Sequence, residues 1–350
     1  MPGTVKARGL VLDELGTRPR LRELTVEPPG PGEVRVRTRA AGLCHTDVTQ
    51  VRDARFTPIL LGHEGAGEVE SVGKGVDGLA PGDAVVVCWK VPCGHCRRCA
   101  RAEQHLCEAV VGLSEPRTFS DGAPVGAMLN AGCFCDYVVL PAAGAIPLPE
   151  RLPYEQAALV GCAVVTGVGA ALWTASIHEG DSVAVFGAGG VGLNVVVGAR
   201  LAGAERIAAV DPDPSRLKLA TERGATEVNA PGEPLDPVDH AFEVVGDPAV
   251  MDAAVEALAP GGELVLVGAA ARDATMSFHP RSFLSKQQRI TGCIYGSAKP
   301  AEHLPQLLGS AADGTIPLAD LIGRRVGLDE LEDAFDEPAN GGVRTVVSFE

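Results

Sequence analysis

Four cysteines stand close together in a polar stretch of the chain, at Cys93, Cys96, Cys99 and Cys107. The spacing C-x2-C-x2-C-x7-C brings four thiolates within reach of one tetrahedral zinc ion, and the arginines between them suit an exposed lobe. Four small core side chains or two disulfides are the alternatives, and neither explains the clustering. The sequence therefore predicts a closed structural zinc site in a lobe at about residues 90–110.

A glycine-rich loop follows the strand-like run Ser182–Phe186 and precedes the helical pattern of Leu193–Leu201. Glycines in the pattern G-x-G-x-x-G permit a tight turn and let backbone amides approach a pyrophosphate at the helix N-terminus. An ordinary glycine turn is the alternative, but a strand, a loop and a helix in this order favour dinucleotide binding. The candidate cofactor-binding residues of the loop are Gly187, Gly189, Gly190, Val191 and Gly192.

The next strand-like run, Arg206–Val210, ends at Asp211. A carboxylate at this point can accept hydrogen bonds from an adenosine ribose, and it would repel the 2′-phosphate of NADP. We therefore predict NAD as the cofactor. Asp211 could instead cap the helix that follows, although Asp213 could fill that role. Arg216 could equally reach the ribose or face solvent.

The elements that carry these motifs change in kind along the chain. Up to about residue 150, short strands alternate with glycine and proline, whereas from Leu152 apolar runs alternate with alanine-rich helical stretches, as in βαβ units around a parallel sheet. We predict a mostly-β domain over residues 1–152 and a Rossmann-type, doubly wound α/β domain over 153–294. Residues 295–350 are expected to return to the first domain, with Val343–Phe349 as a strand.

Composition narrows the class of protein. With 350 residues the chain exceeds the size of a single core, which favours two domains. A formal charge of −15 argues against a nucleic-acid or anionic-membrane surface. The sequence shows no apolar leader, and we expect no apolar stretch of membrane-spanning length, so we predict a cytoplasmic protein. Ten cysteines in such a chain indicate metal ligands and reduced thiols.

Zinc cysteines in one domain and a dinucleotide loop in the other resemble the zinc-dependent, medium-chain alcohol dehydrogenase family over nearly the whole chain. Three further motifs carry the resemblance: GLCHTD at 42–47, GHEGAG at 62–67 and GCAVVTG at 161–167. The resemblance implies a GroES-like first domain. It also implies that Cys44, His63 and Cys162 hold a second, catalytic zinc with an open fourth position, giving two zinc ions per subunit.

The same resemblance implies roles for single residues. Thr46 would take the substrate proton, Glu64 would lie near the metal, and Asp47 would orient His63. The expected cofactor contacts are His45 and Arg344 at the pyrophosphate and Thr166 at the nicotinamide, while Trp89 would line the substrate pocket. Taken alone, each has an ordinary alternative: a turn carboxylate, a local hydrogen bond of a threonine, or core packing of the tryptophan.

The implied reaction is the reversible oxidation of a primary or aromatic alcohol to an aldehyde, with zinc as Lewis acid and NAD as hydride acceptor. A thiol-dependent formaldehyde dehydrogenase and a polyol or secondary-alcohol dehydrogenase are alternatives within the superfamily. A non-catalytic NAD-binding redox sensor is an alternative of another class, which an open zinc set does not favour. The expected partners are a small-molecule substrate and a second subunit, paired through Arg289–Ile294 in a homodimer.

Two features depart from the family pattern. Many members carry a proton-relay histidine five residues after the first catalytic zinc ligand, where this chain has Thr49. We therefore expect a different route for the proton. In addition, only Asn229–Val238 separates two strand-like runs of the cofactor domain, too short for the usual crossover helix. We expect this face of the sheet to be thinly covered and the adenosine contacts to be weak.

Overall fold

The computed structural model describes residues 3–109, 111–113, 115–336 and 343–350. Val110, the predicted end of the zinc lobe, lies outside the described residues. The chain forms two compact units, Met1–Cys162 with Lys299–Glu350, and Ala163–Ala298. The predicted boundaries were 152 and 294, and the helix that begins at Tyr154 packs on strands of the first unit.

The described residues form nineteen β-strands and ten α-helices. The strands are β1 Val5–Leu12, β2 Arg20–Val26, β3 Glu33–Leu43, β4 Ile59–Leu60, β5 Glu64–Val72, β6 Ala84–Val87, β7 Thr118–Ser120, β8 Ala123–Pro124, β9 Gly126–Ala127, β10 Tyr137–Pro141, β11 Ala145–Pro147, β12 Ser182–Phe186, β13 Arg206–Val210, β14 Glu227–Asn229, β15 Val238–Glu243, β16 Leu258–Leu266, β17 Arg289–Gly292, β18 Ile322–Gly327 and β19 Arg344–Ser348. The helices are α1 His45–Asp53, α2 Arg97–Ala100, α3 Tyr154–Leu159, α4 Val165–Gly169, α5 Gly190–Ala202, α6 Pro214–Arg223, α7 Pro248–Glu256, α8 Pro280–Lys286, α9 Pro300–Ala312 and α10 Leu331–Asp336.

The first unit is built on two sheets. One has the order β8-β7-β2-β1-β4-β9, and the other has the order β11-β6-β5-β3-β19-β18, with β10 also paired to β3. The inward side chains of these strands, such as Leu10, Val36 and Val138, form one apolar core. Because β19 pairs antiparallel with β3, the last strand of the chain belongs to a sheet of the first unit.

The second unit holds a parallel sheet in the order β14-β13-β12-β15-β16-β17. Its strands are apolar on both faces, as in Ser182–Phe186, because helices cover a doubly wound sheet on two sides. Ala184, Phe242 and Leu264 lie at its centre with no exposed surface. The predicted Rossmann-type α/β fold is confirmed.

The connection from β14 to β15 has no helix between Asn229 and Val238, as the sequence predicts. Instead, the guanidinium of Arg206 donates to the carbonyl oxygens of Asp236 at 3.0 Å and Pro237 at 2.6 Å. Carbonyls that a helix would satisfy internally are therefore bound by a side chain of β13.

One helical stretch is longer and more apolar than the sequence analysis predicts. Tyr154–Thr174 is 21 residues long and, by length and composition alone, apolar enough to cross a membrane, so the expectation that no stretch reaches this length was wrong. However, 78% of its most apolar window is buried inside the protein. A core helix of a globular protein has the same composition, because all of its faces meet apolar neighbours.

Candidate functional site

Four potential metal ligands meet in the first unit: Cys44, His63, Glu64 and Cys162. Cys44 immediately precedes α1, His63 and Glu64 stand where β5 begins, and Cys162 lies in the helical turn after α3. One ligand atom of each residue lies within 4.8 Å of the others, and all four side chains are buried. Two thiols, an imidazole and a carboxylate form a donor set that suits zinc.

Asp47 ties the elements of this cluster together. Its Oδ1 accepts hydrogen bonds from Nδ1 of His63 at 3.0 Å and from the amide of Gly62 at 3.1 Å. Its Oδ2 accepts the amide of Cys44 at 2.9 Å. Because Nδ1 is engaged in this way, Nε2 is the imidazole nitrogen left for a metal ion.

A buried ion pair borders the cluster. The guanidinium of Arg344 donates to Oε1 of Glu64 at 3.1 Å and lies 3.5 Å from Sγ of Cys44. Burial raises the pKa of Glu64 to about 7, although Arg344 acts in the opposite direction. The other oxygen of Glu64, Oε2, is buried without a hydrogen-bond partner. Arg344, predicted at the pyrophosphate, is thus held by the metal cluster, and its pyrophosphate contact stays a prediction.

The remaining predicted residues of the first unit differ in whether they contact the cluster. Oγ1 of Thr46 lies 3.7 Å from Sγ of Cys44, whereas Thr49 donates its hydroxyl to the carbonyl of Thr46 at 3.0 Å. The side chain of His45 is exposed. The ring of Trp89 meets that of His63 edge-on, with centroids 6.4 Å apart, and it also packs on the apolar core.

The four lobe cysteines form a second cluster. Their sulfurs all lie within 4.8 Å of one another, with 4.0 Å between Cys93 and Cys99 and 3.9 Å between Cys96 and Cys107. Zinc with Zn–S bonds of about 2.3 Å holds its sulfurs about 3.8 Å apart, so the arrangement fits tetrahedral zinc. A hydrogen bond from the amide of Cys99 lowers the pKa of the Cys96 thiol to about 6. None of the ten cysteines forms a disulfide bond in this structure, in agreement with a metal site rather than two disulfides.

The glycine loop of the second unit connects β12 to α5. Gly187 has a φ of +102°, which favours glycine. A Cβ atom on Gly192 would lie 1.8 Å from the carbonyl oxygen of Gly187, whereas one on Gly189 would meet nothing within 4 Å. The first and third glycines are therefore required by the turn and its packing. The second leaves open space in front of the helix N-terminus, which is what the predicted approach of a pyrophosphate requires.

Asp211 lies at the end of β13 beside this loop. Its Oδ2 accepts the amide of Ala188 at 2.7 Å, and Oδ1 accepts the amide of Asp213 at 2.9 Å. The side chain that caps α6 is that of Asp213, so the capping alternative for Asp211 does not apply. Nη1 of Arg216 lies 3.9 Å from Asp211. Thr166, the predicted nicotinamide contact, is half-buried in α4.

The second unit also contains a buried carboxylate, Glu243, that was not predicted from the sequence. Glu243 is the last residue of β15, a position similar to that of Asp211 immediately after β13. An acidic residue at the end of an apolar strand is the sequence signal that could have identified it.

Comparison with known proteins gives a consistent result. A family model described as "Alcohol dehydrogenase GroES-like domain" matches residues 30–150, and one described as "Zinc-binding dehydrogenase" matches residues 190–312. An S-(hydroxymethyl)glutathione dehydrogenase from Photobacterium damsela subsp. piscicida is 35% identical over 370 aligned positions, which cover 99% of this chain and all of that protein.

Solved structures agree with this. Benzyl alcohol dehydrogenase from Acinetobacter calcoaceticus is 27% identical, with a TM-score of 0.90, over 99% of this chain and 100% of that one. A structure described as a zinc-binding dehydrogenase from Sinorhizobium meliloti 1021, bound to NADP, is 25% identical with a TM-score of 0.84 and the same coverage.

Proposed function

Because the chain belongs to the zinc-dependent medium-chain dehydrogenase/reductase family, that of the alcohol dehydrogenases, we propose that it oxidises a primary or aromatic alcohol to an aldehyde, reversibly, and transfers the hydride to NAD. The observation that carries this proposal is the buried set of Cys44, His63 and Cys162. Sequence-distant residues that converge with an oriented imidazole form a donor set for a catalytic metal.

Two zinc ions per chain fit the residues present. Cys93, Cys96, Cys99 and Cys107 would hold a structural ion, since four thiolates fill a tetrahedral shell. Cys44, His63 and Cys162 would hold the other and leave one position to a further ligand. When bound, that zinc supplies Lewis-acid polarisation of the substrate oxygen and the nicotinamide accepts the hydride.

The protein's own groups prepare this site. Asp47 fixes the ring of His63 through a hydrogen bond. Arg344 balances the charge of Glu64, so neither the guanidinium nor this carboxylate is buried without a partner. The hydroxyl of Thr46 lies beside Cys44, where it can take up the proton of a substrate hydroxyl while it passes its own proton on to solvent. The ring of Trp89, which touches His63, provides an apolar wall for an aromatic or alkyl substituent.

Asp211 supports NAD over NADP, because a nearly buried carboxylate at the end of β13 would repel a 2′-phosphate. A related structure holds NADP, so the preference needs a direct test. We predict a higher kcat/KM with NAD than with NADP. In Asp211→Asn, which keeps an acceptor for the amide of Ala188, the ratio should shift towards NADP by about tenfold. A wild-type preference for NADP would contradict this assignment.

A second candidate substrate is the adduct of formaldehyde with a low-molecular-weight thiol. The relative from Photobacterium damsela is named for such a substrate, and it covers nearly the whole chain. The benzyl alcohol dehydrogenase of Acinetobacter calcoaceticus favours the aromatic alcohol instead. Both substrates present a primary hydroxyl, so the same chemistry serves either.

The test is NADH formation by zinc-loaded protein over a panel of alcohols, with and without formaldehyde and a thiol such as glutathione or mycothiol. Turnover of free benzyl or alkyl alcohols supports the first candidate, and turnover only with the thiol adduct supports the second. Cys162→Ala should abolish activity, while Cys135→Ala, at another buried cysteine outside both clusters, should retain it. If the wild type with two zinc ions bound formed no NADH with any substrate of the panel, the proposal would be contradicted.

A further inference from the structure

The carboxylate of Glu243 occupies the point where the parallel sheet reverses its order. From β12 the strands β13 and β14 extend to one side, and β15, β16 and β17 extend to the other. Dinucleotides bind outside the carboxyl ends of the strands at such a switch point. Glu243 ends β15 directly opposite Phe186, the last residue of β12. Asp211, beside β13, is the candidate contact of the adenosine half of the dinucleotide. Glu243 lies on the opposite side of β12, where the nicotinamide half is expected.

The side chain of Glu243 binds a turn rather than solvent. One oxygen, Oε1, accepts the amides of both Val245 and Gly246 at 2.7 Å. The carbonyl of Glu243 accepts the amides of Val267 at 2.8 Å and Gly268 at 3.0 Å. A single residue thus joins the end of β15 to the turn that follows it and to the end of β16.

This turn, Val244–Gly246, borders the glycine loop closely. A Cβ atom on Gly187 would lie 2.8 Å from Cγ2 of Val245, and one on Gly192 would lie 3.3 Å from Cγ2 of Val244. Gly246 has a φ of +86°, and a Cβ there would clash with the backbone of Ala269 at 2.7 Å. Small shifts of the turn would therefore change the crevice above the loop. Val245 is nonetheless 48% exposed, and an exposed apolar side chain beside the loop can contact a bound ligand.

Burying the carboxylate of Glu243 costs free energy that a purely structural role would not require. Its second oxygen, Oε2, is buried without a hydrogen-bond partner. Burial raises the pKa of Glu243, against the opposing effect of the amides of Gly246, Val245 and Asp247. A side chain that stabilised only the sheet could be apolar at lower cost. The carboxylate is thus explained by the two amides that it orients.

We propose that Glu243 is a positioning residue for the nicotinamide half of the dinucleotide: it holds the Val244–Gly246 turn against the glycine loop and so shapes the wall that the nicotinamide ribose contacts. This inference rests on the proposed function in that the cofactor is a nicotinamide dinucleotide. Glu243 acts through the turn, because Oε2 has no accessible surface for the ligand itself.

The test compares binding of the whole cofactor with binding of its adenosine half. We would measure the Kd of NADH by fluorescence and the Kd of AMP by calorimetry, together with the melting temperature. Glu243→Ala should weaken NADH by about tenfold or more and change AMP by less than about twofold, because only the turn loses its hydrogen bonds. Glu243→Gln keeps a carbonyl oxygen for both amides and should restore NADH binding to within about threefold of wild type.

Glu263→Ala is the matched control. Glu263 is also a nearly buried carboxylate of this sheet, on β16, but it contacts Thr291 and His240 rather than the turn. The Glu263→Ala variant should have a lower melting temperature, but the Kd of NADH and the Kd of AMP should change by the same factor. Should Glu243→Ala fail to fold, Glu243→Asp, which withdraws the carboxylate from the amides, should give the same selective loss of NADH affinity.

Equal weakening of NADH and AMP, or unchanged NADH affinity in the folded variants, would overturn the inference and leave the proposed function standing. Wild-type protein that binds neither NADH nor NADPH would overturn the proposed function and the inference with it.

Discussion

Asp47 shows how much of the candidate metal centre depends on a residue that binds no metal. It accepts three hydrogen bonds, from the amide of Cys44, the amide of Gly62 and the ring of His63. These three contacts fix the start of α1, the start of β5 and the tautomer of the imidazole at once. Such partners of a ligand are worth roughly one to two orders of magnitude in metal affinity.

We predict that Asp47→Asn lowers the affinity of the second zinc by about tenfold to a hundredfold, because a neutral amide supports the imidazole less well than a carboxylate does. Competition with a chromogenic chelator measures this directly. Asp213→Asn, at the start of α6 and remote from both clusters in sequence, is the control and should retain both zinc ions. Equal zinc affinity in the two variants would exclude an orienting role for Asp47.

Thr49 stands where many members of the family have a histidine, and its hydroxyl is already engaged by the carbonyl of Thr46. We predict that Thr49→His adds an inflection to the pH profile of kcat/KM near a pKa of about 6.5. Activity should rise with pH through this value, since only the neutral imidazole can accept a proton. Thr49→Asn adds a polar side chain that does not titrate and should leave the profile as in the wild type. An identical profile in Thr49→His would count against a relay at this position.

Among the elements, the connection between β14 and β15 is the clearest departure from a complete doubly wound fold. Without a helix, the carbonyls of Asp236 and Pro237 depend on the guanidinium of Arg206, which is partly exposed. This segment is therefore held by a side chain of β13 and by the turn contacts between Ala230 and Glu233, and not by helical hydrogen bonds.

We predict that Arg206→Ala speeds amide hydrogen exchange in residues 230–240 and lowers the stability of the protein by about 1 kcal/mol, since two hydrogen bonds to a charged donor are lost at a partly exposed site. Exchange followed by mass spectrometry gives the measurement. Arg216→Ala removes another arginine of the same unit and should leave the segment protected. Unchanged protection in Arg206→Ala would show that the segment is held by other contacts.

At the scale of the whole molecule, one edge of the parallel sheet has the features of an assembly surface. The edge strand β17 pairs only with β16 among the described residues, and the neighbouring side chains Leu284 and Ile294 are 81% and 41% exposed. An unpaired edge beside exposed apolar side chains is typical of a surface that pairs with a second copy.

We predict a homodimer in solution, with a mass by light scattering of about twice the 36.1 kDa of one chain. Leu284→Lys should shift the mass towards that of the monomer, because a charge would be buried in the interface. Leu201→Lys, at another exposed leucine, on α5, should remain dimeric. A wild-type mass of one chain at all concentrations would contradict the prediction.

Local patterns in the sequence were sufficient for the lobe cluster, the glycine loop and Asp211. The four lobe cysteines lie within fifteen residues, and the loop, its helix and Asp211 belong to one βαβ unit. In such segments short-range geometry determines which atoms can meet. The alternation of strand and helix likewise predicted the parallel sheet, because the period of apolar residues reports local structure.

Long-range contacts could not be obtained in this way. Cys44, His63 and Cys162 could be assigned together only through a family resemblance, and Arg344, 300 residues from Cys44, was assigned to another role. The structure decides these contacts because they depend on how α1, β5, β19 and the helix after α3 pack, which no local pattern encodes. The same holds for Glu243, whose meaning comes from its place at the reversal of the sheet, and for the apolar helix Tyr154–Thr174, whose burial only the tertiary fold reveals.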